Sequence, residues 1–312
     1  MKKYVLTETT KEWMCITLYQ IKAVRDIPEQ DIEEGELGGW VASEKNLDQD
    51  GDAWVSGNAR VSGNARVSGN ARVYGDARVS GDAWVYGNAR VSGDAWVSGN
   101  ARVSGDAWVS GNARVSGDAR VSGNARVYGD ARVSGDAWVY GNARVSGDAW
   151  VSGNARVSGD AWVSGNARVY GDARVSGDAW VYGDAWVSGN ARVSGDAWVS
   201  GNARVYGDAR VSGDAWVYGN ARVLSRKHIF WASSVGSEDG TLTAYTIKTG
   251  EIEVTRGCFR GTINEFETAV RKRHDGSRYS EEYLVLIEYI KLRFREVTVT
   301  EFDEPEDDEE SA

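Results

Sequence analysis

Between Gly51 and Leu224 the chain contains no histidine, cysteine, lysine, glutamate or threonine. That absence withdraws from more than half of the chain the side chains most used as general bases, thiol or amine nucleophiles and soft metal ligands. The whole chain has two cysteines, Cys15 and Cys258, one toward each end. A single distant pair provides neither a disulfide framework nor a metal spacing, and it points to a reducing compartment. No apolar run is long enough to cross a bilayer, and Met1-Lys2-Lys3-Tyr4 has no apolar stretch behind it. Neither a membrane segment nor a signal peptide is expected, and the expected location is cytoplasmic. Base is scarce as well: 36 Lys and Arg face 46 Asp and Glu, for a net charge of −10. Eight of those acids fall from Glu301 onward, whereas the stretch 51–224 carries 18 bases and 16 acids. The acidity is largely a property of the tail, which weakens any reading of the protein as a nucleic-acid mimic.

What is present is a repeat. Residues 51–224 read as 29 consecutive hexapeptides without an insertion, each Gly, Asp or Asn, Ala, Arg or Trp, Val, Ser or Tyr, with Leu224 as the one departure. Ala and Val stand two apart and point to one side of an extended strand, while Arg/Trp and Ser/Tyr point to the other. The Gly-Asp or Gly-Asn pair is corner chemistry, because Gly enters positive φ freely and Asn and Asp tolerate it. Short strands with a corner in every hexad close into a coil whose turns stack by parallel pairing. No unit can bury a face alone, so the repeat must be a solenoid.

The run Val-Ser-Gly-Asp-Ala-Arg is similar to the hexapeptide motif of left-handed parallel β-helices. That resemblance implies an all-β solenoid with three hexads per triangular coil. It is nearly silent about function, since the same coil carries acyltransferases, anhydrases and plain scaffolds. Gly38-Gly39-Trp40-Val41 followed by Gly51-Asp52-Ala53-Trp54-Val55 resembles the YdcK-like proteins of bacteria and their phages, often labelled as candidate transferases. The C-terminal segment resembles one found in phage and Gram-positive proteins of unassigned function. Neither resemblance carries catalytic residues onto numbered positions of this chain.

Four segments are expected. Residues 1–36 form capping strands, with Tyr4-Val5-Leu6 and Met14 to Val24 around a polar turn at Glu8 to Lys11. Residues 37–236 form the coil, since Val41 and Leu47 precede the perfect repeats at the inward spacing, and Ile229 and Val235 continue it from Val223. Residues 237–302 form an α+β cap. It has a hairpin about Thr249-Gly250, a helix opened by the Thr262/Glu265 capping box, a second helix from about Ser280 to Arg295 and a strand over Val297 to Phe302. Residues 303–312 form an acidic disordered tail. Within the repeat, 69–122 and 123–176 are duplicates differing only at Ser116 and Tyr170. Elsewhere the repeat has grown by single hexads, which would not preserve a finely shaped pocket on one face.

Catalytic candidates are few. Hexapeptide acyltransferases generally use a histidine near a coil interface, but the two histidines here, His228 at an outward coil position and His274 in a polar turn, are expected to be solvated. No catalytic residue, cofactor or metal site is expected, because single Asp residues interleaved with Asn make no Asp-x-Asp cluster for calcium. The outward Arg and Trp are harder to set aside. With three hexads per coil, Trp162, Trp180, Trp198 and Trp216 form one column, flanked by Tyr182 and Tyr218, and such a stripe marks an interaction surface or packs on itself. The Asp beside every Trp opposes a phosphate backbone, so nucleic acid is not the expected partner. Glycan binding on the rings is open, and bulky Arg and Trp do not suit ice.

The expected function is therefore a non-enzymatic scaffold or binding protein that presents its side face to a protein partner or to itself. The first alternative is a hexapeptide-class acyltransferase with its site at the coil end or cap. The second is a binder of nucleic acid or of a host-defence protein, acting in the host cytoplasm if phage-encoded.

Overall fold

The computed structural model describes residues 2–298. Three strands open the chain: β1 (Tyr4–Trp13), β2 (Ile16–Ala23) and β3 (Leu37–Val41). There follow 29 two-residue strands, β4 (Trp54–Val55) to β32 (Arg222–Val223), one per hexad. Successive strands fall on three parallel sheets, and each residue pairs with the one 18 further on, as Trp162 with Trp180 and Arg156 with Arg174. Face I contains β3, β5, β8 and so on to β32; face II runs from β4 to β31; face III runs from β6 to β30.

The alternation of the hexad dictates this arrangement. From Ala53 to Val223 the Ala and Val of every hexad lie at most 1 % exposed, filling the interior with two small side chains per strand. Each buried Val contributes roughly 1.5–3 kcal/mol, and the neighbouring coils supply the contact. The corners rest on glycine, whose φ lies between 60° and 73° throughout the repeat. Space enforces the same choice: a Cβ on Gly159 would lie 2.9 Å from the backbone N and O of Gly177 in the next coil. Outside the corner, Asn amides donate to the carboxylate or amide one coil on, as Asn142 to Asp160 at 3.0 Å and Asn166 to Asp184 at 2.9 Å.

At the N-terminal end β1 and β2 form an antiparallel hairpin, β2 pairs antiparallel with β3, and β3 pairs parallel with β5 (Arg60–Val61). The hairpin thus continues face I and covers the edge of the first coil. Its turn is not at Glu8 to Lys11, where the sequence places it. The turn is Met14-Cys15, both in the left-handed region at φ 49° and 61°. The Thr-rich segment 7–10 has the β-branched residues of a strand and stays extended, while the tight turn uses two residues outside the usual Asn-Gly chemistry. Beneath the hairpin the Tyr4 hydroxyl donates to the Leu47 carbonyl at 2.8 Å. Lys3 is wholly buried, and that burial holds its pKa down at about 8.

At the other end the six-residue spacing continues to Ile229, which is buried in the solenoid core. The strand it starts does not join a parallel face. β33 (Ile229–Val235) pairs antiparallel with β34 (Gly240–Thr246), followed by β35 (Ile252–Arg256) and β36 (Phe259–Thr262) in a four-stranded sheet. Three threonine hydroxyls of this sheet meet the open edge of the last coil. The Trp216 amide donates to Thr243 Oγ1 at 3.0 Å, Thr255 Oγ1 donates to the Trp216 carbonyl at 3.4 Å, and Thr246 Oγ1 donates to the Arg222 carbonyl. All three threonines are buried. An uncovered edge would template further strands, so these contacts end the stack. Helix α1 (Ile263–His274) opens on the expected capping box of Thr262 and Glu265, and α2 (Arg278–Phe294) buries Tyr283, Ile287, Ile290 and Phe294. The expected strand from Val297 to Phe302 lies in large part outside the described residues, and the acidic tail lies wholly outside them.

Candidate interaction surface

The residues that face outward are the Arg or Trp and the Ser or Tyr of each hexad. Most indoles lean toward the preceding coil, where the Nε1–H donates to a serine hydroxyl: Trp84 to Ser68, Trp96 to Ser80, Trp138 to Ser122 and Trp150 to Ser134, all at 2.9–3.1 Å. Trp162 follows this rule, donating to Ser146 at 2.9 Å. Above it the column changes. Trp180 meets Trp162 edge-on, and from Trp180 onward the rings lie flat on one another. The interplanar angles are 4° for Trp180 with Trp198 and 11° for Trp198 with Trp216, each pair with centroids 5.1 Å apart. Below Trp198 the serine position is occupied by Tyr182, whose ring meets the indole edge-on at 6.2 Å. Stacking does not consume the column, because Trp180 remains 38 % and Trp216 42 % exposed. Tyr218 is drawn into the cap junction instead: the Arg260 guanidinium lies 4.7 Å over its ring, and burial raises its pKa. The structure therefore brings five of the six anticipated residues onto one open face and turns the sixth toward the cap.

Charge is distributed unevenly around this column. Each of its four hexads starts Gly-Asp, so Asp160, Asp178, Asp196 and Asp214 run along the edge shared with face III, all exposed. Asp160 accepts from Asn142, and Asp214 accepts from Ser233 at 3.1 Å. In the same coils face III carries Arg156, Arg174, Arg192 and Arg210, paired in register and exposed. Sequence reading placed the Trp column but missed this arginine column, although the same register contains it. Elsewhere the two residue types share a column and stack: Arg168 lies 5.0 Å from the Trp186 ring and Arg204 lies 3.9 Å from it.

The sequence matches the family described as YdcK Beta solenoid repeat in thirteen stretches, which cover residues 53–165, 167–183, 185–201 and 203–219, more than half of the chain. The chain belongs to the YdcK β-solenoid repeat family. A search of curated proteins finds no match. Family membership accounts for the coil and leaves the outer surface unexplained, since the match rests on the repeat itself.

The remaining candidates separate from that surface. His228 is not solvated, as its residue type and position led us to expect, but only 8 % exposed. Its Nδ1 lies 2.9 Å from Ser225 Oγ and its Nε2 lies 3.2 Å from the Thr298 carbonyl, so it ties the last coil to the segment after α2. Burial lowers its pKa, against the opposing effect of the hydrogen bond to Thr298. His274 ends α1 against Tyr279 and Tyr283 and borders a shallow cavity of about 150 Å³ with Cys258, Phe259 and Arg273. Both cysteines are free and exposed. Among the described residues no group of three His, Cys, Asp or Glu is placed to hold a metal ion, and no helix is long and apolar enough to cross a membrane.

Proposed function

We propose that this protein is a non-enzymatic scaffold or binding protein, a left-handed solenoid in the cytoplasm of a bacterium or of a phage-infected host, acting through a side face. The observation that carries the reading is the column Trp162, Trp180, Trp198 and Trp216, which stays partly exposed although its rings stack. Four large rings in line make an apolar stripe of the kind that marks an interaction surface. Covering several hundred Å² of it on a partner contributes several kcal/mol at ~25 cal/mol/Å² before the costs of association. Two exposed free thiols suit a reducing compartment.

The test is the quadruple change Trp162→Ser, Trp180→Ser, Trp198→Ser and Trp216→Ser in the full chain. We expect unchanged β circular dichroism together with weakened self-association by light scattering or weakened partner capture. If the wild type and the quadruple variant are both monomers and capture the same partner equally, the column only packs on itself and the reading is wrong.

A further inference from the structure

Within most of the solenoid the outward columns repeat in the order Trp, Arg, Arg, as Trp54, Arg72, Arg90, Trp108, Arg126, Arg144 on face II. In such a mixed column each guanidinium has an indole one coil away, and at some positions the two meet: Arg66 lies 6.0 Å from the Trp84 ring, and Arg168 lies between Trp150 and Trp186 at 5.9 and 5.0 Å. After Ser176 the order slips, and the slip sorts the residues. From Trp162 onward face II carries four tryptophans with four aspartates beside them and no arginine, while face III ends on Arg156, Arg174, Arg192 and Arg210. Among the described residues none of these four arginines stands in an ion pair or over an aromatic ring. Arg144 lies 5.8 Å from the ring of Trp162 at the foot of the Trp column, and above it that column holds no arginine.

We infer that these sorted columns complete each other between molecules: the Trp/Asp column on face II of one copy takes the arginine column on face III of a second copy of this chain. Spacing selects the occupant. Neighbouring indoles of the column are 5.1 Å apart, and coils in a parallel sheet rise ~4.8 Å. An extended strand laid along the rod repeats a same-side residue every ~6.6–6.8 Å and falls out of step within the four rungs. The arginine column occupies the same coils as the Trp column, so its rungs have the same rise. Every guanidinium can then lie on an indole and reach the carboxylate row beside it. The two surfaces differ, so the contact is head-to-tail rather than two-fold symmetric.

This inference rests on the Trp face being an interface, and the experiment separates the two. The full chain is compared by sedimentation with the variants D178K/D196K and R174E/R192E, whose altered residues are all exposed. We expect the wild type to associate and each variant alone to associate at least ten-fold more weakly. An equimolar mixture of the two variants should regain association with the two variants alternating, because the lysine face of one then meets the glutamate face of the other and the unaltered faces meet at the next contact. Misfolding cannot produce that rescue. A wild type that stays monomeric up to the highest soluble concentration overturns the inference. So does a mixture that shows no rescue. If association is lost in the quadruple Trp variant but kept in R174E/R192E, the Trp face stands as an interface and the arginine column is excluded as its occupant.

Discussion

Deleting residues 123–176 removes nine hexads, or three coils, and should leave a shorter rod folded in the same register. The structure supports a detailed expectation. Ser122 would be joined to Gly177, and the hexads before the new junction repeat those before the old one except for Ser116 in place of Tyr170. Trp108 then stands where Trp162 stood, and it already makes the corresponding bond, to Ser92 at 3.1 Å. The Trp column survives as Trp108, Trp180, Trp198 and Trp216, and the arginine column survives as Arg102, Arg120, Arg192 and Arg210. One contact changes. Trp186, edge-on to Tyr170 at 6.2 Å, would instead face Ser116 and could donate to its hydroxyl. That exchange is worth about 1 kcal/mol at most in either direction. The rod should shorten by about 14 Å at ~4.8 Å per coil. The urea m-value should fall with the surface lost, while the caps keep their relative orientation. Circular dichroism, small-angle scattering and urea unfolding measure these quantities. Loss of the β signal, or an m-value that does not fall, would refute the three-face register. Deleting one hexad, such as 171–176, is the contrasting case. The chain can still close its coils, but the cap turns by one face, Trp162 leaves the column and association should weaken.

Three other outcomes follow from the same geometry. Val163→Asp places a carboxylate where the side chain is wholly buried and no donor faces it, so a loss of about 3 kcal/mol or more is expected in urea unfolding. His228 has a lowered pKa in the fold, so the unfolded chain takes up its proton first. Stability is therefore lost as pH falls through the ordinary value of 6.5 toward the folded one, and His228→Gln should flatten that part of the unfolding profile. Because the perfect repeats contain no His, Cys or Lys, calorimetry should detect no acyl-CoA binding. Tight stoichiometric binding lost on His228→Ala would favour the transferase alternative.

A period of six with two inward residues was enough to read the coil, because alternation decides which side chains are buried and glycine decides where the chain turns. The same rule placed Trp162 to Trp216 in one column before any coordinates. Signals of another kind located α1 and α2, whose caps and apolar faces are local: Thr262 with Glu265, and Tyr283, Ile287, Ile290 and Phe294 at helical spacing. The parts that only the tertiary structure decided lie where the period stops. Ile229 and Val235 keep the spacing, yet their strand pairs antiparallel, because an edge has to be closed and Thr243, Thr246 and Thr255 supply the hydroxyls that close it. Met14-Cys15 turns without turn residues because pairing with β2 and β3 outweighs the local preference. His228 carries no mark of burial in its neighbours along the chain, since its partner carbonyl at Thr298 is 70 residues away. Repetition makes local sequence predict local structure, whereas the ends depend on contacts between distant segments that no period encodes.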